Sequence, residues 1–333
     1  MDYTKGYTAA FYATFVDPVT WLETERIRVL SGSVNRSRDS LRQNAELTVT
    51  NYDQPVDRWI RIYMECTQGQ DMTRTALFTG LGTNPSSEYK DGRTEQRLQL
   101  YSVLKAAEDI LLPRGYFAAE GMNGAEQIQA LLSVGPAPVT IGRSSPKLKT
   151  NIVAEGNENN LTMALKILDA INWRLQITGD GEIRVTPKPE QPVAVMSEEI
   201  NNVVETAFTR THDWFSCPNV FRATSGDATC TVKDTSRTSG FSTISRGREV
   251  WSAEDSVTLT SADTIQSYAA RRLQELQLRT EQVQYSRRYM PEINVDDMIR
   301  LNYDELQGVY TVVSQQIGLG FNAQTTEVVE RTI

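Results

Sequence analysis

His212 is the only histidine in the chain, so any chemistry that needs an imidazole has a single candidate. Zinc sites draw on Cys/His clusters, and a serine nucleophile needs a neighbouring base. One histidine with three scattered cysteines meets neither requirement, and His212 is expected on a strand face or in a loop. Cys66, Cys217 and Cys230 are odd in number and lack CxxC spacing. That pattern predicts reduced, buried thiols in a cytoplasmically made protein. Cys217 follows His212 at an odd spacing, which on a strand puts the two on opposite faces and leaves the thiol without a basic neighbour to activate it.

Two pairs of adjacent carboxylates, Glu198-Glu199 and Asp296-Asp297, are candidates for acid/base work. Consecutive side chains point apart, so neither pair is a general acid/base couple by itself, and both read as solvated turn residues. No GxxxxGK[ST] run, no GxGxxG opening a helix and no GxSxG elbow is present. Gly80-Leu81-Gly82 ends a strand and leads into Asn84-Pro85-Ser86, read as a turn. Gly318-Leu319-Gly320 falls between two late strands, where hairpin glycines are expected. Asn35-Arg36-Ser37 and Asn160-Leu161-Thr162 match the glycosylation pattern by chance, because the polar N-terminus does not read as a secretion signal. These residues predict no catalytic, cofactor-binding or metal site, and a protein that is not an enzyme.

The elements that would carry any site are mostly strands. With 333 residues, 39% hydrophobic and 23% charged, the chain reads as globular, with two or three domains and enough length for a core without disulfides. No apolar run approaches membrane-spanning length. A net charge of −8 argues against a broad nucleic-acid grip, but permits a channel through which DNA slides.

Residues 1–105 read as strands: Thr8 to Phe15, the alternating Glu46 to Thr50, Trp59 to Met64, a strand around Ala76 to Leu81, and Arg97 to Val103. The polar turn Gln68-Gly69-Gln70-Asp71 joins two of them as a hairpin. In residues 106–200, helices are predicted over Gly124 to Ser133 and over Asn157 to Ile171, the second capped by Asn157 or Asn159. A hairpin follows, Trp173 to Ile177 with Glu182 to Thr186, and Pro187, Pro189 and Pro192 then stop regular structure.

Residues 201–333 return to strands around Asn219 to Ala223 and Thr229 to Val232, with a turn at Gly226-Asp227. A long exposed Ser/Thr-rich loop is expected over Lys233 to Ser245. A helix capped by Ser261 carries Ile265, Tyr268, Ala269, Leu273 and Leu276 on one face. Four later strands are predicted between Gln282 and Glu330. Trp21, Trp59, Trp173, Trp214 and Trp251 are expected mainly in the core or at domain interfaces, with Trp214-Phe215 as a candidate exposed contact. The fold class is mainly β with an α+β insert: two barrel-like β domains (1–105 and 201–333, the latter with one long helix) flanking a helix-plus-hairpin domain (106–200).

The order of these features resembles the baseplate hub proteins of contractile-tail phages and related tail-like particles. Ser31-Gly32-Ser33-Val34 followed by Asn44 to Val49 resembles the opening barrel of that family. Glu158 to Pro187, with Asn172-Trp173-Arg174 and Gly181 to Val185, resembles its helix-then-hairpin unit. Pro218-Asn219-Val220, Ser245-Arg246-Gly247-Arg248, the helix of Ala262 to Leu276, and Val295 to Leu301 leading to Gly308 to Val312 resemble its C-terminal part.

The resemblance implies a homotrimeric ring joining a sixfold tail tube to a threefold central spike. Its partners would be the tube or tube-initiator protein, the spike and the tape-measure protein, with DNA passing through the lumen without specific binding and no membrane insertion. The location implied is the virion tail baseplate, after synthesis in the host bacterial cytoplasm. The rival readings are a tail-associated cell-wall hydrolase and a receptor- or carbohydrate-binding tail-tip protein. Gln68, Gly69, Gln70 and Asp71, Trp214 and Phe215, and Ser239, Gly240 and Phe241 are the candidate assembly contacts; no cofactor is expected.

Overall fold

The computed structural model describes the chain except for residues 1, 3, 4, 51, 53–56, 91, 92, 144, 198–203, 213, 226, 227, 256, 258–263, 278, 279, 304, 321, 322 and 333. In chain order, seven strands come first: β1 (Thr8–Val16), β2 (Glu23–Ile27), β3 (Val29–Arg36), β4 (Gln43–Thr50), β5 (Arg58–Gln68), β6 (Asp71–Lys90) and β7 (Arg93–Ser102). The mixed segment follows: α1 (Lys105–Glu108), β8 (Phe117–Ala118), α2 (Gly124–Leu132), β9 (Val139–Ile141), β10 (Ile152–Val153), α3 (Asn160–Ile171), β11 (Trp173–Ile177) and β12 (Ile183–Pro187). Then come β13 (Ala194–Ser197), β14 (Val204–His212), β15 (Val220–Ser225), β16 (Ala228–Lys233), α4 (Thr243–Arg246), β17 (Trp251–Glu254) and α5 (Ile265–Leu276). The chain closes with β18 (Thr280–Arg287), β19 (Met298–Tyr303), β20 (Leu306–Leu319) and β21 (Thr325–Thr332). The class is therefore mainly β with a helical insert, as the periodicities predict. Among the described residues no helix is long and apolar enough to cross a membrane.

Contacts divide the chain into two units, Met1–Phe208 with Gln284–Val329, and Thr209–Val283 with Glu330–Ile333. Residues 1–105 and 106–200 thus share a unit with the late strands.

In the first unit, antiparallel pairing runs β3-β4-β7-β6-β5-β1-β2, and β20 joins it by pairing with β3 from Gln315↔Arg36 to Leu319↔Gly32. The alternation that predicts β4 is a core pattern: Gln43, Ala45, Leu47 and Val49 are buried while Asn44 and Glu46 face out. β5 is buried on both faces over Ile60 to Met64. Ile60, Ile62 and Met64 enter a core with Leu47, Phe78, Leu98, Leu100 and Ile317. Each fully buried side chain of this kind contributes about 1.5–3 kcal/mol.

The insert has a second core, where Ile128, Leu131, Leu161, Ile167 and Leu168 of α2 and α3 meet Trp173, Leu175 and Val185 of the β11–β12 hairpin. Asn159 is the cap of α3, accepting from Thr162 N at 2.8 Å. The hairpin tip docks on the strands of residues 1–105. Gly179 O accepts from Thr79 Oγ1 at 2.8 Å, and Asp180 O accepts from Arg61 Nη2 at 2.8 Å and from Trp21 Nε1 at 3.2 Å. Trp21 in turn meets Trp59 edge-on, at 5.5 Å between ring centroids.

In the second unit, β15 lies between β16, antiparallel, and β17, parallel. Phe221 and Ala223 of β15 pack on Ala269 and Leu273 of α5.

Several expectations are corrected. Asp296 does lie in a turn, with a left-handed φ of 66°, but the Asp296-Asp297 pair is not solvated: Asp296 pairs with Arg38 at 2.7 Å and Asp297 is 4% exposed. Asn84-Pro85-Ser86 is no turn but lies inside β6, whose register with β7 shifts between Thr83 and Ser86. A bulge tolerates a proline that cannot donate to the ladder. The segment from Lys233 to Ser245 is not simply an exposed loop: Ser242 is fully buried and caps α4, and Thr243 N donates to Asp234 O at 2.9 Å. All three cysteines are free, but only Cys66 is buried; Cys217 and Cys230 are half-exposed. Burial pushes the Cys66 thiol up to about 11, which makes it inert. Cys217 lies beyond the end of β14, so the strand spacing from His212 does not apply to it. Helix α5 starts at Thr264, through a capping box with Ser267. Ser261, Glu198-Glu199 and Gly226-Asp227 lie outside the described residues.

Candidate assembly surfaces

The hairpin tip between β5 and β6 closes with Gln68 opposite Asp71, and Gly69 takes the left-handed φ of 63° that the turn needs. Gly69, Gln70 and Asp71 are all exposed. Gln68 is half-buried and binds the N-terminal segment. Its Nε2 donates to Asp2 O at 3.0 Å and Gly6 O at 3.1 Å, and its Oε1 accepts from Asp2 N at 3.1 Å. Within the tip, the surface available to a partner is therefore Gly69, Gln70 and Asp71, while Gln68 holds the chain beneath it.

The other candidates come together in the second unit. Trp214 is 51% exposed and Phe215 78% exposed. Arg246, the last residue of α4, gathers the segment that carries them. Its Nη1 donates to Cys217 O at 2.6 Å, and its Nη2 donates to Trp214 O at 3.0 Å and Phe215 O at 2.8 Å. The same guanidinium lies 5.9 Å from the Phe241 ring centroid. Arg248 donates to Phe215 O at 2.6 Å and covers the Phe215 ring at 3.9 Å, a cation–π contact. Between the two arginines, Gly247 adopts φ 61° and ends α4. Trp214-Phe215 and Ser239 to Phe241, far apart in sequence, thus form one aromatic–arginine surface.

Beneath it lies Asn219, fully buried. Its Nδ2 donates to Phe241 O and Arg248 O, each at 3.0 Å, and its Oδ1 accepts from Val250 N at 2.7 Å. One amide thereby holds both loops to the start of β15. Beside it, Trp251 is 54% exposed and donates from Nε1 to Glu249 at 3.0 Å. The hydrogen bond from Lys233 holds the Glu249 carboxyl below its ordinary value. Asn219, Arg246 and Arg248 do not figure among the contacts that the sequence predicts. The signal it does carry is the Arg-Gly-Arg triplet at the end of a Ser/Thr-rich segment and an Asn at the mouth of a strand. Among the described residues no group of three or more His, Cys, Asp or Glu is placed to hold a metal ion.

No protein-family model and no curated protein matches the sequence. Solved structures do match in three dimensions. The tail protein from Neisseria meningitidis MC58 superposes with a TM-score of 0.69 at 15% identity, covering 98% of this chain and 97% of that one. The chain shares the fold of that tail protein. The 43 kDa tail protein of prophage MuSo2 from Shewanella oneidensis matches it with a TM-score of 0.65 at 11% identity, over 97% of this chain and 98% of that one. The prophage tail protein gp18 from Listeria monocytogenes EGD-e shares this fold with a TM-score of 0.55 at 10% identity, over 97% and 94% of the two chains. At such identities the backbone arrangement is what is shared.

Proposed function

We propose that this chain is a structural baseplate hub at the distal end of a phage or phage-like tail, and not an enzyme. The observation that carries this reading is the end-to-end match of the tail-protein fold, 98% of this chain against 97% of the Neisseria tail protein. In this reading three copies form a ring that joins the sixfold tail tube to the threefold central spike, around a channel that holds the tape-measure terminus and later passes DNA. Residues 1–105 and 201–333 supply the ring's β domains, with the helix-plus-hairpin segment 106–200 between them in sequence.

The working contacts are the tip Gln68 to Asp71 and the surface of Trp214, Phe215 and Ser239 to Phe241, where exposed aromatics serve as anchors. The net charge of −8 suits a channel that DNA passes without gripping. The site of action is the virion tail baseplate, after synthesis in the host bacterial cytoplasm. Light scattering tests the proposal: the expected particle has three times the 37.4 kDa mass of one chain when alone, and a larger mass when tube and spike proteins are added. A strict monomer under all of these conditions overturns it.

A further inference from the structure

In the second unit, Arg248 holds a half-buried charge without a counter-charge. Its guanidinium covers the Phe215 ring at 3.9 Å and, of its five N–H groups, gives one to Phe215 O at 2.6 Å. Arg246 beside it bonds the main-chain oxygens of Trp214, Phe215 and Cys217. Among the described residues neither arginine forms an ion pair. The acids on the neighbouring segments are already engaged. Glu249 is held by Lys233 at 2.6 Å and by Trp251 Nε1 at 3.0 Å, and Asp234 accepts from Gln277 Nε2 at 3.1 Å and from Ser236 N at 2.9 Å. Asp213 lies outside the described residues. The same surface is apolar too: Trp214, Phe215 and Ile244 of α4 each expose more than half of their area.

A ligand that satisfies this surface carries an anionic group beside apolar groups. Single-stranded nucleic acid fits it poorly. Stacking a base needs an open ring face, and Arg248 already covers one face of Phe215. A chain of net charge −8 also repels a long polyanion. A carboxylate fits well, because it is planar and meets the edge of a guanidinium through two parallel hydrogen bonds. Stacking on Phe215 fixes the plane of Arg248 and leaves four of its N–H groups for such a partner. Exposed aromatic rings next to an arginine are the composition of a protein–protein anchor.

We propose that the aromatic–arginine surface takes an acidic, apolar-interrupted peptide segment of a partner protein, with a carboxylate on the free edge of Arg248 and apolar side chains against Trp214 and Ile244. This rests on the reading of that surface as an assembly contact and adds the chemistry of what it contacts. Fluorescence anisotropy of labelled probes on the full chain tests it. The probes are a short peptide of alternating Asp and Leu, its analogue with Asn in place of Asp, and an oligothymidine. The Asp peptide is expected to bind at least about tenfold more tightly than the Asn peptide or the oligothymidine, and Arg248→Met, which keeps an aliphatic stem over Phe215, to lose about tenfold of that affinity. Equal binding of the Asp and Asn peptides, oligothymidine binding as tight as the Asp peptide, no binding of the Asp peptide up to about millimolar concentration, or an unchanged Arg248→Met overturns the proposal. If Arg248→Met does not fold, the comparison of the three probes on the unaltered chain decides alone. The outcome is separate from that of light scattering: a trimer that ignores the Asp peptide keeps the hub reading and loses this inference, and a monomer that binds it does the reverse.

Discussion

Arg174 Nη1 donates to Asp297 Oδ1 at 2.5 Å, joining residues 123 apart in sequence. Arg174 stands on β11, in the insert, and Asp297 immediately precedes β19. The same carboxylate accepts from Asn294 N at 2.8 Å through its other oxygen, and Val295 O accepts from Gln176 Nε2 at 2.8 Å. One buried aspartate thus fixes the loop that leads into β19 and fastens it to the insert. Removing one member of a buried pair leaves the other uncompensated, so Asp297→Ala is expected to cost about 3–5 kcal/mol in urea unfolding.

Gly179 marks the other attachment of the insert. A Cβ built there would come within 1.8 Å of Ala76 O, a backbone atom that cannot swing aside. Gly179→Ala is therefore expected to destabilise by about 1–3 kcal/mol or more, because the hairpin tip must back away from β6. Gly240, with nothing within 4 Å of its Cβ position, is the control: Gly240→Ala is expected to fall within about 0.5 kcal/mol of the unaltered chain. Denaturant titration of both variants compares them.

Acid should release the pair Arg287–Glu327, whose side chains are both fully buried and 2.8 Å apart. Burial alone would raise the Glu327 carboxyl, but the Arg287 charge and its hydrogen bonds, with those of Tyr285 and Gln315, hold it below the ordinary 4.5. Because the folded value is the lower one, the stabilisation is complete above the unfolded value and is lost as pH falls through the folded value. Unfolding free energy measured between pH ~7 and ~3 should drop on the acid side of the ordinary carboxylate range. Glu327→Gln should lose this group's share of the drop, and at neutral pH it should cost about 3–5 kcal/mol by stranding Arg287.

Asn219→Leu keeps the volume but leaves Phe241 O, Arg248 O and Val250 N without the amide that serves them. Stranded buried groups cost about 1–3 kcal/mol each when water cannot replace the partner. The expected signature is local: faster amide hydrogen exchange over residues 239–250, with the first unit's protection unchanged.

Phe215→Ser tests the aromatic–arginine surface as an assembly contact. The ring is 78% exposed and its cation–π contact with Arg248 is a surface one, so folding stability should change by no more than about 1 kcal/mol. Trimer formation, or binding to tube or spike protein, should weaken by about tenfold or more if the ring is an anchor, read by light scattering and by pull-down.

Periodicity alone determined most of the elements: the alternation of β4, the helical stripe of α3, and the β11–β12 hairpin around Gly181. These are local signals, because a strand or helix with one buried face must repeat its apolar residues at its own period. The scarcity of imidazole and thiol also came directly from composition. What only the tertiary structure decided was pairing between distant segments. Asp296-Asp297 looks like a solvated turn because nothing in sequence announces that Arg38, Arg42 and Arg174 converge on it. Likewise Trp214-Phe215 and Ser239 to Phe241 become one surface only through Arg246, Arg248 and the buried Asn219. A charge or amide has no periodicity, so its partner is set by which strands the fold brings side by side, and that is a property of the folded chain rather than of any window of it.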